Sequence, residues 1–166
     1  MGITINKLQK INSRLQNFSR IIFLIILTSV LYFVAFCFNF VLSFIKDKDI
    51  IWIDLSNKEN SITFLFILPI ILAPIFETFL GQYLPYYLLN KVKYLNERSY
   101  LILLASALFF GLLHFYSLFY IIYAFMLGLI FMYGYMIRIK TDKKAFILIA
   151  ISHSILNLGI FIKNLL

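Results

Sequence analysis

The sequence predicts an all-α polytopic membrane protein: a transmembrane bundle of about five spans, the second kinked by proline, with its N-terminus in the cytoplasm. Three observations lead there. Apolar residues make up 63% of the 166, only 13% are charged, and mean hydropathy is +0.95; a soluble domain averages about 45–50% apolar and about 25% charged. Several apolar stretches run to about 18 residues or more, enough to cross a hydrocarbon core about 30 Å thick. The charges lie between those stretches, and the basic ones fall in alternate gaps. The net charge of +8 therefore reflects topology and not binding to nucleic acid.

Residues 1–20 carry Lys7, Lys10, Arg14 and Arg20 with no acid. Ile3, Ile5, Leu8, Ile11, Leu15 and Phe18 recur at roughly helical spacing, so this is either a short interfacial helix or a frayed cationic tail. Residues 21–162 form the transmembrane domain. Its first span, Ile21 to Ile45, begins too late and runs too long for a cleaved signal peptide. Its only strongly polar side chain, Asn39, is expected to bond to a neighbouring helix. Cys37 is the single cysteine, so no intrachain disulfide can form. The loop at 46–60 has net charge −1 and holds Trp52, a residue suited to the headgroup level.

The second span, Ile62 to Leu89, contains Pro69, Pro74 and Pro85. Proline removes a backbone donor, so a broken helix lining a cavity is expected here. The loop after it is basic, with Lys91, Lys93 and Arg98 against Glu97. The third span runs from Tyr100 to about Phe115 and turns near Tyr116 and Ser117. The fourth, Leu118 to Ile137, carries Gly128 and Gly134, which permit close helix contact. Arg138, Lys140, Lys143 and Lys144 against Asp142 make the next loop basic, and the fifth span covers Ala145 to Ile162. With five spans, the tail and the two basic loops share one side, which the positive-inside rule assigns to the cytoplasm.

Four polar residues stand inside these apolar segments: Glu77, His114, His153 and Asn157. A charge near mid-membrane costs about 2.5–3.5 kcal/mol on insertion scales, so Glu77 needs a partner or a task. His153 and Asn157 are one helical turn apart on one face. At 1.5 Å per residue, Glu77 lies about 18 Å from the Leu89 end of its span, His153 about 12 Å from Ala145 and His114 about 21 Å from Tyr100. Gathered in the bundle interior, the four satisfy one another, either as a packing network or as a site. As a site, the carboxylate beside a water and a histidine is a general base. The second histidine and the amide are donors for a developing oxyanion. Together they describe amide hydrolysis. Ser152 and Ser154 point to other faces than His153, which leaves a serine nucleophile a poor second. Two histidines and a glutamate also make a catalytic zinc set, but the ligands are spread over three spans without a His-Glu-x-x-His pair. No cofactor is called for, and a divalent metal is not favoured.

At these residues the chain resembles the CPBP (Abi) family, the CAAX-prenyl-protease-like and bacteriocin-processing intramembrane proteases. The family's Glu-Glu-x-x-x-Arg motif reads here Glu77-Thr78-Phe79-Leu80-Gly81-Gln82, preceded by Ala73-Pro74-Ile75. Its Phe-x-x-x-His is Phe110-Gly111-Leu112-Leu113-His114, and its His-x-x-x-Asn is His153-Ser154-Ile155-Leu156-Asn157. The resemblance covers about residues 62–162. It implies that Glu77 activates water, that His114 assists, and that His153 and Asn157 stabilise the oxyanion. Thr78 and Gln82 replace the second glutamate and the arginine, so a supporting ion pair is absent while the chemical quartet remains. The implied protein is a glutamate-dependent intramembrane endopeptidase in the inner membrane of a bacterium, acting on a CAAX-type tail or a peptide precursor. A catalytically degenerate member with a binding, immunity or regulatory role is the alternative. A small-molecule transporter is weaker still, because the chain has no internal repeat. The expected partners are the bilayer and a peptide substrate; nothing in the sequence selects an oligomeric state.

Overall fold

The structure, a computed structural model, describes residues 2–44 and 66–165. The loop at 46–60 with Trp52, the last residue of the expected first span and the start of the second lie outside the described residues. Among the described residues the chain forms helices without strands. They are α1 (Gly2–Asn17), α2 (Arg20–Leu42), α3 (Leu68–Leu89), α4 (Lys93–Asn96), α5 (Ser99–Leu112), α6 (Leu118–Arg138) and α7 (Ala145–Leu165).

Four of these, α2, α3, α6 and α7, are long and apolar enough to cross a membrane. The expected third span is shorter than the sequence suggests. Helix α5 has 14 residues, about 21 Å at 1.5 Å per residue, and ends before His114. The reason is local. The His114 N–H bonds Gly111 O at 3.0 Å, a tightened last turn, which leaves the Phe110 carbonyl to the His114 imidazole Nδ1 at 2.8 Å. A side chain thus caps a carbonyl that a helix end would otherwise orphan. Ser117 then starts α6 by accepting the Tyr120 N–H at 3.1 Å.

Helices α5 and α6 form a tight hairpin that their glycines make possible. A Cβ on Gly128 would stand 3.1 Å from Ala107 Cα, and one on Gly111 would stand 3.0 Å from the Ile121 carbonyl. Small residues at such crossings are how helices gain contact where lipid supplies no hydrophobic drive. Leu31, Phe110, Phe131, Met132, Ile149 and Leu156 close the centre of the bundle. Ile25, Phe33, Phe36 and Phe40 of α2 are exposed on the outside, as a lipid-facing surface should be.

Helix α3 departs from the expected broken span. It is continuous, and each of two π turns, Leu68–Leu72 and Phe79–Tyr83, is followed by an α segment whose second residue is proline. A π turn takes up one extra residue, so the missing N–H and bulk of Pro74 and Pro85 are absorbed without a break. Two carbonyls are released and claimed by other helices. Ala73 N–H bonds Leu68 O instead of Pro69 O, and Pro74 has no N–H to offer, so Pro69 O accepts Asn157 Nδ2 of α7 at 2.8 Å. Gly81 O, whose α-register donor would be Pro85, accepts the Ser106 hydroxyl of α5.

Asn39 also differs from expectation. Its amide bonds the Ala35 carbonyl of its own helix at 2.7 Å, the nearest acceptor on its face one turn back. The N-terminal segment is a helix docked on α6, not a frayed tail. Arg138 Nη1 bonds the carbonyls of Gln16 (3.1 Å) and Phe18 (2.8 Å), and Tyr133 OH bonds Asn12 Oδ1 at 2.5 Å. A guanidinium on the last carbonyls of α1 also suits the helix dipole. Asp142 joins this end of the bundle together. It accepts Arg20 Nε at 2.7 Å and Nη2 at 3.1 Å, Arg138 Nη2 at 3.2 Å and the Lys144 N–H at 2.9 Å. The Arg20 guanidinium first, then the Lys144 backbone, holds the Asp142 carboxyl well below the usual carboxylate range.

Candidate active site

All four polar residues singled out in the sequence line one cavity of about 350 Å³. Glu77 enters it from the α segment of α3 that follows Pro74, between the two π turns. His114 enters from the turn after α5, its ring oriented by the Phe110 carbonyl. His153 and Asn157 enter from one face of α7.

The geometry converges on one atom. His114 Nε2 and His153 Nε2 each stand 3.4 Å from Glu77 Oε2. The side chains of His153 and His114 are 5% and 14% exposed, and that of Glu77 is 27% exposed, so the carboxylate is the group the cavity can reach. Because His114 Nδ1 faces a carbonyl, it carries the proton, and in the neutral ring Nε2 presents a lone pair toward the carboxylate. Two acceptors therefore face each other at 3.4 Å, and a donor from the cavity side would relieve them. The His153 ring is held between Phe131, 4.7 Å away, and Phe110, 5.9 Å away. One amide proton of Asn157 is committed to Pro69 O; an amide NH₂ has two.

Thr78 and Gln82 do not join the site. Both are fully buried, neither lines the cavity, and the Thr78 hydroxyl and both Gln82 amide atoms lack a hydrogen-bond partner. They lie behind the carboxylate on the same helix. The sequence reading missed Tyr120 and Tyr123, which wall the cavity opposite α3. The Tyr120 ring lies 5.7 Å from that of His114 and 5.9 Å from that of Tyr123. Their signal was legible: Tyr120, Tyr123 and Leu127 repeat at helical spacing, and all three line the cavity.

Among the described residues no group of three His, Cys, Asp or Glu is found disposed to hold a metal ion.

A family model described as type II CAAX prenyl endopeptidase Rce1-like matches residues 59–159, well over half of the chain and all of the cavity's polar residues. Comparison with curated proteins and with solved structures gives no match.

Proposed function

The chain belongs to the type II CAAX prenyl endopeptidase Rce1-like family, and on that premise we propose that it hydrolyses a peptide bond within the membrane with a water activated by Glu77. The protein is a membrane protein of a protease family; the residue roles that follow are our assignment.

The water we assign approaches Glu77 Oε2 from the open side of the cavity, with His114 Nε2 beside it as the second acceptor. Glu77 removes a proton as the water oxygen attacks the scissile carbonyl. The negative charge that moves to the carbonyl oxygen is met by His153 Nε2–H and by the second amide proton of Asn157. When the tetrahedral intermediate collapses, the carbon–nitrogen bond breaks and protonated Glu77 returns its proton to the departing amine. The carboxylate is regenerated and atoms balance. From the order of its charged loops we assign the N-terminus to the cytoplasmic side of the membrane.

One observation carries this reading: both imidazole Nε2 atoms stand 3.4 Å from the same carboxylate oxygen. A general base contributes about 10²–10⁴ in rate. Purified Glu77→Gln protein, matched for shape but without the base, is therefore expected to lose at least about 10²-fold in cleavage of an internally quenched peptide. Equal rates would sink the assignment. The unpartnered Thr78 and Gln82 favour a second reading, a member that binds without cutting. Under that reading Glu77→Gln leaves the cellular phenotype unchanged.

A further inference from the structure

Resting on the protease reading, we infer that α2 is a working part of the site. Its Tyr32 is a positioning residue that sets the register of α7, and with it the two groups assigned to the oxyanion, His153 and Asn157.

The family match begins at residue 59, so α2 lies outside it. Among the described residues, none from α2 lines the cavity. The contact between α2 and α7 is nevertheless specific. The Tyr32 hydroxyl donates to the Ile155 carbonyl at 2.5 Å, and Ile155 stands midway in the chain between His153 and Asn157. A hydroxyl on a lipid-facing helix has no bulk water to turn to, so it keeps the acceptor it finds.

Gly159 gives the reason the tie forms at this place. A Cβ there would run into the Tyr32 hydroxyl and stand 2.8 Å from Cε1 and Cζ of its ring. Helix α7 thus carries a notch, one turn beyond Ile155, into which the edge of the Tyr32 ring fits. A notch and a hydrogen bond together resist both sliding and rotation of α7 against α2. At 1.5 Å per residue, His153 and Asn157 lie about 3 Å along the axis on either side of Ile155.

The same stretch of α7 is gripped from another side, where Asn157 Nδ2 bonds Pro69 O of α3 at 2.8 Å. Ties to two neighbours therefore bracket both oxyanion groups. Helix α2 itself is anchored, since Leu31 and Ala35 on either side of Tyr32 are buried. It supports the site a second time through Phe38, whose ring lies 5.0 Å from that of Tyr123, a wall of the cavity. Oxyanion donors act only where the charge develops, and a misplacement of about 1 Å can cost about 10²-fold.

Tyr32→Phe is the gentlest test, because it removes one hydroxyl and keeps the ring. Cleavage of the internally quenched peptide is expected to fall about tenfold or more in kcat per folded molecule. The ratio kcat/KM should fall by the same factor, the pattern of an interaction made only in the transition state. Gly159→Ala closes the notch and should act in the same direction through a different atom. In an Asn157→Ala background, Tyr32→Phe should cost less than in the parent, because part of its effect passes through a group already removed. A merely structural role would lower the yield of folded protein and spare kcat per folded molecule. Parent-level kcat in either single variant, or effects of Tyr32→Phe and Asn157→Ala that simply multiply, would overturn the inference while Glu77→Gln remains inactive. A parent protein that cuts no peptide would instead overturn the protease reading, and the role of Tyr32 would fall with it.

Discussion

Two carboxylates of the same bundle, Asp142 at its basic end and Glu77 near the middle of α3, are treated in opposite ways. Asp142 accepts four hydrogen bonds, from two atoms of Arg20, one of Arg138 and the Lys144 backbone. Among the described residues Glu77 has two imidazole nitrogens at 3.4 Å. A saturated carboxylate holds structure together, and an unsaturated one lining a cavity is available for chemistry. The difference predicts a crossed result. Glu77→Gln removes activity by at least about 10²-fold while leaving thermal stability unchanged or raised, as when a strained functional group is relieved. Asp142→Asn keeps peptide cleavage per folded molecule and loosens α1 from α6. Side-by-side cleavage and thermal denaturation in detergent would check it. Loss of activity in both variants would erase the distinction.

The same contrast repeats along α3. Each π turn releases one carbonyl, and another helix claims it: Pro69 O by Asn157 at the cavity wall, Gly81 O by Ser106 in the packed core. Asn157→Ala should cost about 10²–10³ in kcat, the range for one oxyanion donor, and should also leave Pro69 O unpaired. Adding Pro74→Ala supplies an N–H within reach of that carbonyl. The double variant is expected to recover stability and not kcat. Recovery of both would reduce Asn157 to a tie between helices.

Ser106→Ala sharpens the comparison from the other side. It leaves the Gly81 carbonyl without its donor in a buried place, at a cost of about 1–3 kcal/mol. Here Pro85→Ala should restore a partner in α register and return part of the loss. Cleavage per folded molecule should stay at the parent level in both variants. A fall in kcat beyond the loss of folded protein would mean that this buried bond also sets the position of Glu77.

These two ties show where sequence reading works and where it stops. Hydropathy and charge order made the membrane class legible. The gathering of the four polar residues was legible because a polar group inside an apolar stretch must find company, and the structure lines one cavity with all four, Glu77 standing 3.4 Å from each histidine. The prolines of α3 announced an irregular helix, but composition does not tell a break from a π turn. That depends on whether neighbours such as Asn157 and Ser106 can take the freed carbonyls, which is a tertiary fact. Helix α5 ends early for a similar reason: the cap is the side chain of the residue expected to lie inside the span. Asn39 went the other way, since an amide in lipid settles for the nearest carbonyl when no neighbour offers one.

The smallest effect concerns the saturated carboxylate, and its sign can be worked out. Asp142 is held below its ordinary value in the folded protein, chiefly by Arg20. A depressed carboxyl adds stability at pH values above its unfolded pKa, about 3.9, and that contribution drains away as pH falls through the folded value. Arg20 is 53% exposed, so salt screens part of the attraction and the effect is modest. The expected observation is that the contact between α1 and α6, read by hydrogen exchange at Gln16 and Phe18 or by proteolysis of the tail, is constant from neutral pH to about pH 4. Below that it weakens. In Asp142→Asn the same contact should be weaker at neutral pH and indifferent to acid, because no proton remains to be bound. A parent-like acid transition in that variant would assign the docking of α1 to Arg138 and its carbonyls alone, leaving Asp142 as a bystander to the end of the bundle it joins.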